Sequence, residues 1–183
     1  MKTQMHTLAV AICIILGVAL INSATFAQEK AETKAKPEAV YKTPAAIGRA
    51  FVEAVAEKRL DDAKKLFITK KELLTIFSGN DLDNVYDKVY ADVPKKLELL
   101  AEEIGGAKYE KMDLSMSPIA KTKPGMSFGF ASFSIETEAT DNARVVAKQE
   151  ERLLTIKLDA MVKVGPSWKL LSPDFKLLNA NGR

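Results

Sequence analysis

The side chains best suited to nucleophilic, imidazole or metal chemistry are one cysteine and one histidine, Cys13 and His6, and both fall within the first 27 of 183 residues. Those 27 residues read as a secretory leader. Lys2 precedes the apolar run Leu8 to Ile21, "LAVAICIILGVALI", and the small residues of "NSATFAQ" follow, which is the charge, apolar and cleavage-site order of a signal peptide. Cleavage is expected after Ala27, leaving Gln28 as the new N-terminus. A run of fourteen apolar residues is short for a membrane span of roughly 20, and no Lys or Arg cluster follows directly to stop transfer. Cys13 does not suit lipid attachment, because bulky Ile12 precedes it and the apolar run continues beyond it. Removing the leader leaves 156 of the 183 residues, without cysteine or histidine. Cys/His zinc sites, thiol nucleophiles, Ser-His-Asp triads and disulfides are then excluded, and no cofactor or metal is expected. The fold must rest on its own core, which a chain of this length can build as one domain.

Charge argues against a polyanionic partner. Beyond the leader, 26 Lys and Arg face 24 Asp and Glu, about +2 net. The lysine pairs Lys64/Lys65, Lys70/Lys71 and Lys95/Lys96 are interspersed with acids and lack the alternating aromatic residues of a stacking surface, so they read as solvated helix faces and nucleic acid is not an expected partner.

The elements that must position any site change character along the chain. Residues 28–42, "QEKAETKAKPEAVYK", bury too little apolar surface to offset the entropy of ordering, and read as a flexible charged linker. A single domain is expected over 43–178, with a tail at 179–183. Thr43 and Pro44 open a helix to about residue 58, with Ile47, Ala50, Phe51, Ala54 and Val55 at three- and four-residue spacing. Asp61 and Asp62 open a short helix carrying Ala63, Leu66 and Phe67. Thr69 and Glu72 form a capping box ahead of Leu73, Leu74, Ile76 and Phe77. From about residue 80 the periodicity is strongest: Leu82, Val85, Tyr86, Val89, Tyr90, Val93, Leu97, Leu100, Ala101 and Ile104. Pro94 predicts a kink or break within it, and Gly105-Gly106 ends it.

After Gly106 the period becomes 2. Met112, Leu114 and Met116 alternate with polar residues, and the loop 120–125 follows. Phe128 and Phe130 then carry the apolar phase, which shifts parity by Phe133 and Ile135. That shift predicts a bulge bending one continuous strand near Ala131. "TDN" at 140–142 predicts a turn, and 143–153 reads either as an extension of the next strand or as a separate one. Leu154 to Val164 alternates as a half-buried antiparallel strand with one wet face. Gly165-Pro166-Ser167 turns the chain into a last strand carrying Trp168, the only tryptophan, and Pro173 ends it.

Helices first and antiparallel strands afterwards make an α+β domain, with N-terminal helices packed on a curved antiparallel sheet of about four strands. That order, the opening "TPAAIGRAFVEAVAEKRLDDAKKLF" and the closing "MVKVGPSWKLLSPDF" resemble the nuclear-transport-factor-2-like superfamily of cystatin-like α+β cones, over about Thr43 to Phe175. The resemblance implies a cone whose mouth lies between helices and concave sheet, with a bulge near Ala131 curving the sheet. Domains of that kind often pair through the open sheet face, so it also implies a homodimer. The superfamily includes ketosteroid isomerase, whose chemistry uses an Asp base with a Tyr and a protonated Asp as oxyanion donors. Tyr86, Tyr90, Asp87, Asp113 and Asp159 supply those residue types here, but no motif carries the roles onto particular positions. Its epoxide hydrolases need an Asp/Arg group, and this chain has five arginines, of which Arg183 is terminal while Arg49 and Arg59 flank the first helix.

The leading expectation is therefore an exported, periplasmic or extracellular, non-catalytic domain. It would bind a small apolar molecule, or an envelope or secreted protein partner, in the cone mouth, with no membrane span after cleavage. Tyr86, Tyr90, Met112, Phe128, Phe130, Phe133 and Trp168 are the candidate cavity lining. The plainer reading of each is a core side chain, and Trp168 is expected to lay its ring over the sheet edge with its indole N–H near solvent or a backbone carbonyl. An acid–base enzyme using carboxylate and tyrosine is the alternative, and requires a desolvated carboxylate near a Tyr hydroxyl inside the cavity. An envelope-tethered structural or adaptor domain, with 28–42 as its spacer, is a third.

Overall fold

The computed structural model describes residues 39–128 and 131–179. The leader, its cleavage site at Ala27 and Gln28, most of the linker, and Phe130 lie outside these residues. Five α-helices are described: α1 (Pro44–Ala56), α2 (Leu60–Lys64), α3 (Lys70–Ile76), α4 (Leu82–Tyr90) and α5 (Val93–Ile104). Nine strands accompany them: β1 (Phe77–Ser78), β2 (Lys108–Asp113), β3 (Ala120–Lys121), β4 (Ser127–Phe128), β5 (Ala131–Phe133), β6 (Glu138–Gln149), β7 (Arg152–Val164), β8 (Ser167–Leu170) and β9 (Lys176–Asn179).

The helices follow their end signals. Thr43 caps α1 by accepting from the Ala46 N–H, and Pro44 sits in the first turn, where its missing N–H costs nothing. Thr69 and Glu72 form the reciprocal capping box of α3. The long periodic stretch divides as Pro94 predicts: α4 ends at Tyr90 and α5 begins at Val93, with the proline in its first turn. Gly106, at φ 74°, carries the chain out of α5 and donates its N–H to the Ala56 carbonyl at the end of α1.

The strands are arranged differently from the expectation of about four in one sheet. β2, β6, β7 and β8 pair in that order, with β3 also on β6 and β9 also on β7, giving a strongly curled antiparallel half-barrel of six strands. β1, β5 and β4 form a second sheet of three. Ser127 pairs with Ser132 and Phe128 with Ala131, so the parity shift read as a bulge is a chain reversal between Phe128 and Ala131. Both readings exchange the buried face, and a hairpin does it by turning the strand back on itself. "TDN" is not a turn: Thr140, Asp141 and Asn142 lie within β6, and it is there that a bulge falls, between Thr140 and Ala143. Residues 143–153 resolve into the end of β6, a turn at 150–151 and the start of β7. β2 stops at Asp113, leaving Met116 67% exposed. Ala120 and Lys121 pair with β6 rather than forming loop alone, and the chain continues past Pro173 into β9.

The bulge has a counterpart in β7, where Asp159 pairs with Ala143 and adopts φ 55°. Leu154, Ile156 and Leu158 face one core, and so does Met161, while Ala160 and Val162 face another. Residues one apart on a strand point to opposite faces. The bulge therefore changes parity, and the far half of β7 is buried on both sides, so Met161 is 0% exposed instead of lying on the expected wet face.

The first core lies between α1, α2, α5 and the half-barrel, built around Ile47, Phe51, Leu97, Ile104, Ile156 and Trp168. Gly48 is the point of closest approach, since a Cβ there would stand 3.0 Å from Val145 Cγ2 and closer still to Met112 Cε. The second core joins α3 and the three-stranded sheet to the far ends of β6 and β7, through Ile68, Ile76, Phe77, Phe133 and Val162. Lys169 of β8, 4% exposed, reaches within 3.7 Å of Glu72.

Candidate functional site: an apolar cleft beneath the fourth helix

α4 carries an apolar side that the cores absorb only in part, through Leu82 and the inner edges of Tyr86 and Tyr90. Of its nine residues only Leu82 is buried, yet Val85, Tyr86, Val89 and Tyr90 recur at the spacing of one helical face. Lys70 of α3 holds the helix through Asp87, at 2.8 Å, and Asp83, at 3.5 Å. Beneath it lies a cleft of about 350 Å3. α4 forms one wall; Leu73, Phe77, Phe128 and Ala131 form a second; Ala160, Leu171 and Pro173 form the floor.

The two tyrosines present rings rather than free phenols. They stack at 4.2 Å between centroids with planes 19° apart. Tyr86 donates its hydroxyl to the Ile68 carbonyl at 3.1 Å, and Tyr90 donates to the Leu171 carbonyl. Burial pushes both phenols up from the ordinary tyrosine value, with Asp87 adding to the effect at Tyr86 and the Tyr86 phenol adding at Tyr90. Phe128 leans on Phe77 and Phe133, at centroid distances of 6.1 and 5.7 Å, and fixes the second wall.

The polar part of the cleft comes from the two bulges. Asn142 at φ 47° and Asp159 at φ 55° both adopt the left-handed conformation that Asn and Asp tolerate best among residues with a side chain. With Asp141 and Ser172 they line the cleft beside its apolar walls. Lys157 holds Asp159 at 2.7 Å, and Ser117 donates its hydroxyl to Asp141.

Of the candidate lining residues, the structure gathers Tyr86, Tyr90 and Phe128 in the cleft, with Phe133 behind Phe128 at 1% exposure. Met112 and Trp168 belong to the other core. Met112 packs toward Gly48 under α1, and Trp168 is 1% exposed, with its backbone N–H donated to the Tyr41 carbonyl at 2.7 Å. Neither lines the cleft, because alternation places a side chain on a face without saying which of two cores that face meets. Asp141, Asn142, Val85, Val89 and Leu171 were absent from the candidate set. Asp141 and Asn142 were hidden by the turn reading of "TDN", whose Asn is also the residue type that marks a left-handed bulge.

Of the residues named for the acid–base alternative, Tyr86, Tyr90 and Asp159 line the cleft, and Asp87 and Asp113 do not. Asp87 is exposed and paired with Lys70. Asp113 lies on β2, held below the usual carboxylate range by Ser115, which bonds it through hydroxyl and backbone N–H. Asp159 is in the cleft, but as the partner of Lys157. No arginine is among the residues lining the cleft: Arg49 lies 5.0 Å over the Tyr109 ring, and Arg59 pairs with Glu57 and Asp62. Among the described residues no cluster of three His, Cys, Asp or Glu could hold a metal, and no helix is long and apolar enough to cross a membrane. In the lysine pairs Lys64, Lys65, Lys70 and Lys96 each stand beside a carboxylate. No family model, curated protein or solved structure matches the chain.

Proposed function

We propose that this chain is an exported, non-catalytic binding domain of the nuclear-transport-factor-2-like cone type, and that the cleft beneath α4 takes a small apolar molecule. The observation that carries the reading is the cleft itself: about 350 Å3 of space walled by Val85, Tyr86, Val89, Tyr90 and Phe128. That volume lies within the roughly 300–1,000 Å3 of ligand pockets, which are mostly apolar with a few placed polar groups. Both tyrosine hydroxyls are engaged with backbone carbonyls, so the rings are held rigid and the cleft offers surface rather than proton transfer. The leader-like first 27 residues support export, and the helices-then-sheet order with its curled half-barrel supports the cone assignment.

Native mass spectrometry of the protein purified gently from the cells that make it, before and after organic extraction, tests this reading. A reproducible added mass that disappears on extraction is the expected result. A clean apo mass, together with no uptake of a neutral apolar fluorescent probe such as N-phenyl-1-naphthylamine, would overturn it. The same spectrum gives the mass of the N-terminus, expected to start at Gln28, and shows whether two copies pair.

A further inference from the structure

The charged groups of the cleft have one sign. Its lining contains two carboxylates, Asp141 and Asp159, the neutral Asn142 and Ser172, and no Lys, Arg or His. The basic groups close by are committed elsewhere. Lys96 donates to the Pro173 carbonyl at 3.3 Å and stands 3.6 Å from Asp174, and Lys70 is held by Asp83 and Asp87. Lys157 neutralises Asp159. Asp141 takes a hydroxyl from Ser117 and, among the described residues, forms no ion pair, so the cleft as a whole keeps a negative balance. Both acids stand at the bulges that give this part of the sheet its polar character, alongside walls that are otherwise apolar.

We propose that the ligand is an apolar molecule with a cationic head, a protonated amine, its tail against the rings of α4 and Phe128 and its head beside Asp141 and Asp159. This rests on the reading of the cleft as a small-molecule site. An apolar tail alone satisfies the walls, but a carboxylate head would meet the like charge of Asp141, and the nearby Lys157 is already held by Asp159. An alcohol head would be accepted without the ionic contribution. An amine meets Asp141 directly and can share Asp159 with Lys157, while the Asn142 side-chain carbonyl offers a neutral acceptor.

Three ligands with the same tail separate these cases. The purified protein is titrated calorimetrically at pH 7 with decylamine, decanol and decanoate, each below micelle formation. Decylamine is expected to bind tightest, about fivefold tighter than decanol, as befits a partly exposed ion pair, with decanoate weakest. Asp141→Asn combined with Asp159→Asn should weaken decylamine more than decanol and close the gap between them, since Asn also accepts the left-handed backbone at 159. If the double variant loses decanol as well, Asp141→Asn alone, at an exposed position, decides: decylamine must weaken relative to decanol. Decanol binding as tightly as decylamine, or decanoate binding tightest, would overturn the cationic head while leaving the apolar site standing. Failure of all three to bind would remove the small-molecule reading and this inference with it.

Discussion

The space under α1 and the space under α4 are bounded by the same two long strands, β6 and β7, and by helices of similar amphipathic grammar. Under α1, eight of thirteen residues are buried and Phe51, Phe67 and Phe175 interlock edge to face or tilted, at centroid distances of 5.4 to 6.2 Å. Under α4, one of nine is buried and the facing surface is a cleft. The two spaces differ in what the strands do as they pass beneath. Regular alternation presents Val145, Ala147, Leu154, Ile156 and Leu158 to α1 and α5. Beside α4 both strands bulge, and the positions that would have filled the space carry Asp141, Asn142 and Asp159. A helix with a clean apolar stripe thus becomes core or cleft wall according to whether the sheet opposite keeps its register.

The sharpest way to break this contrast is at Trp168. Trp168→Ala, deep in the α1 core, is expected to cost about 3–5 kcal/mol in denaturant unfolding, while the folded fraction keeps its affinity for an apolar probe. Loss of probe binding in molecules that remain folded would mean that the two spaces are one.

Tyr90 comes next. Tyr90→Phe removes the donor to the Leu171 carbonyl and should cost about 1–2 kcal/mol. Because burial raises the Tyr90 pKa, the folded state keeps its proton at pH values where the unfolded chain releases it. Its contribution is therefore fully present below the unfolded tyrosine value of about 10 and declines as pH rises above it. Unfolding curves at pH 8 and pH 11 should show that decline in the parent and a smaller one in Tyr90→Phe.

The bulge itself is tested by a pair of substitutions at Asp159. Asp159→Ala forces a Cβ residue without a local hydrogen-bonding group into φ 55° and should cost about 1–2 kcal/mol. Asp159→Asn should cost less than about 1 kcal/mol, the value of its half-buried ion pair with Lys157. Equal losses would show that the charge, not the backbone, holds the bulge. A modest effect is also expected from Thr69→Ala, which opens the α3 capping box for about 1 kcal/mol. Since α3 anchors α4 through Lys70, hydrogen exchange in α4 should quicken more than in α1.

Much of the helical half was legible because its signals are local. Thr43-Pro44, the Thr69/Glu72 box, Pro94 and Gly105-Gly106 each act within one turn, and each stands where its chemistry requires. The sheet was legible only in part, because pairing is set by partners far along the chain. Phe128 to Phe133 changes parity whether it bulges or reverses, and only Ser132 lying opposite Ser127 distinguishes the two. The site was legible in its aromatic half: Tyr86 and Tyr90 stood out by spacing on α4. Its polar half was not, since Asp141, Asn142 and Asp159 look like turn and surface residues until two strands misalign together. Trp168 misled for a related reason, since a tryptophan beside a tight turn gives no indication of how deeply its strand is covered.

The N-terminal edge of the domain is tied to β8. Tyr41 donates its N–H to the Ser167 hydroxyl at 2.9 Å, across 126 residues, and accepts from the Trp168 N–H; Leu66 and Ile68 exchange backbone bonds with Leu170. Backbone groups at Tyr41 and Ile68 thus wait for a strand synthesised long after them before they are satisfied. Closing so large a loop precedes most of its reward, which slows folding. The nascent chain is then expected to remain incompletely structured, and open to chaperones and proteases, until the residues beyond Gly165 have left the ribosome.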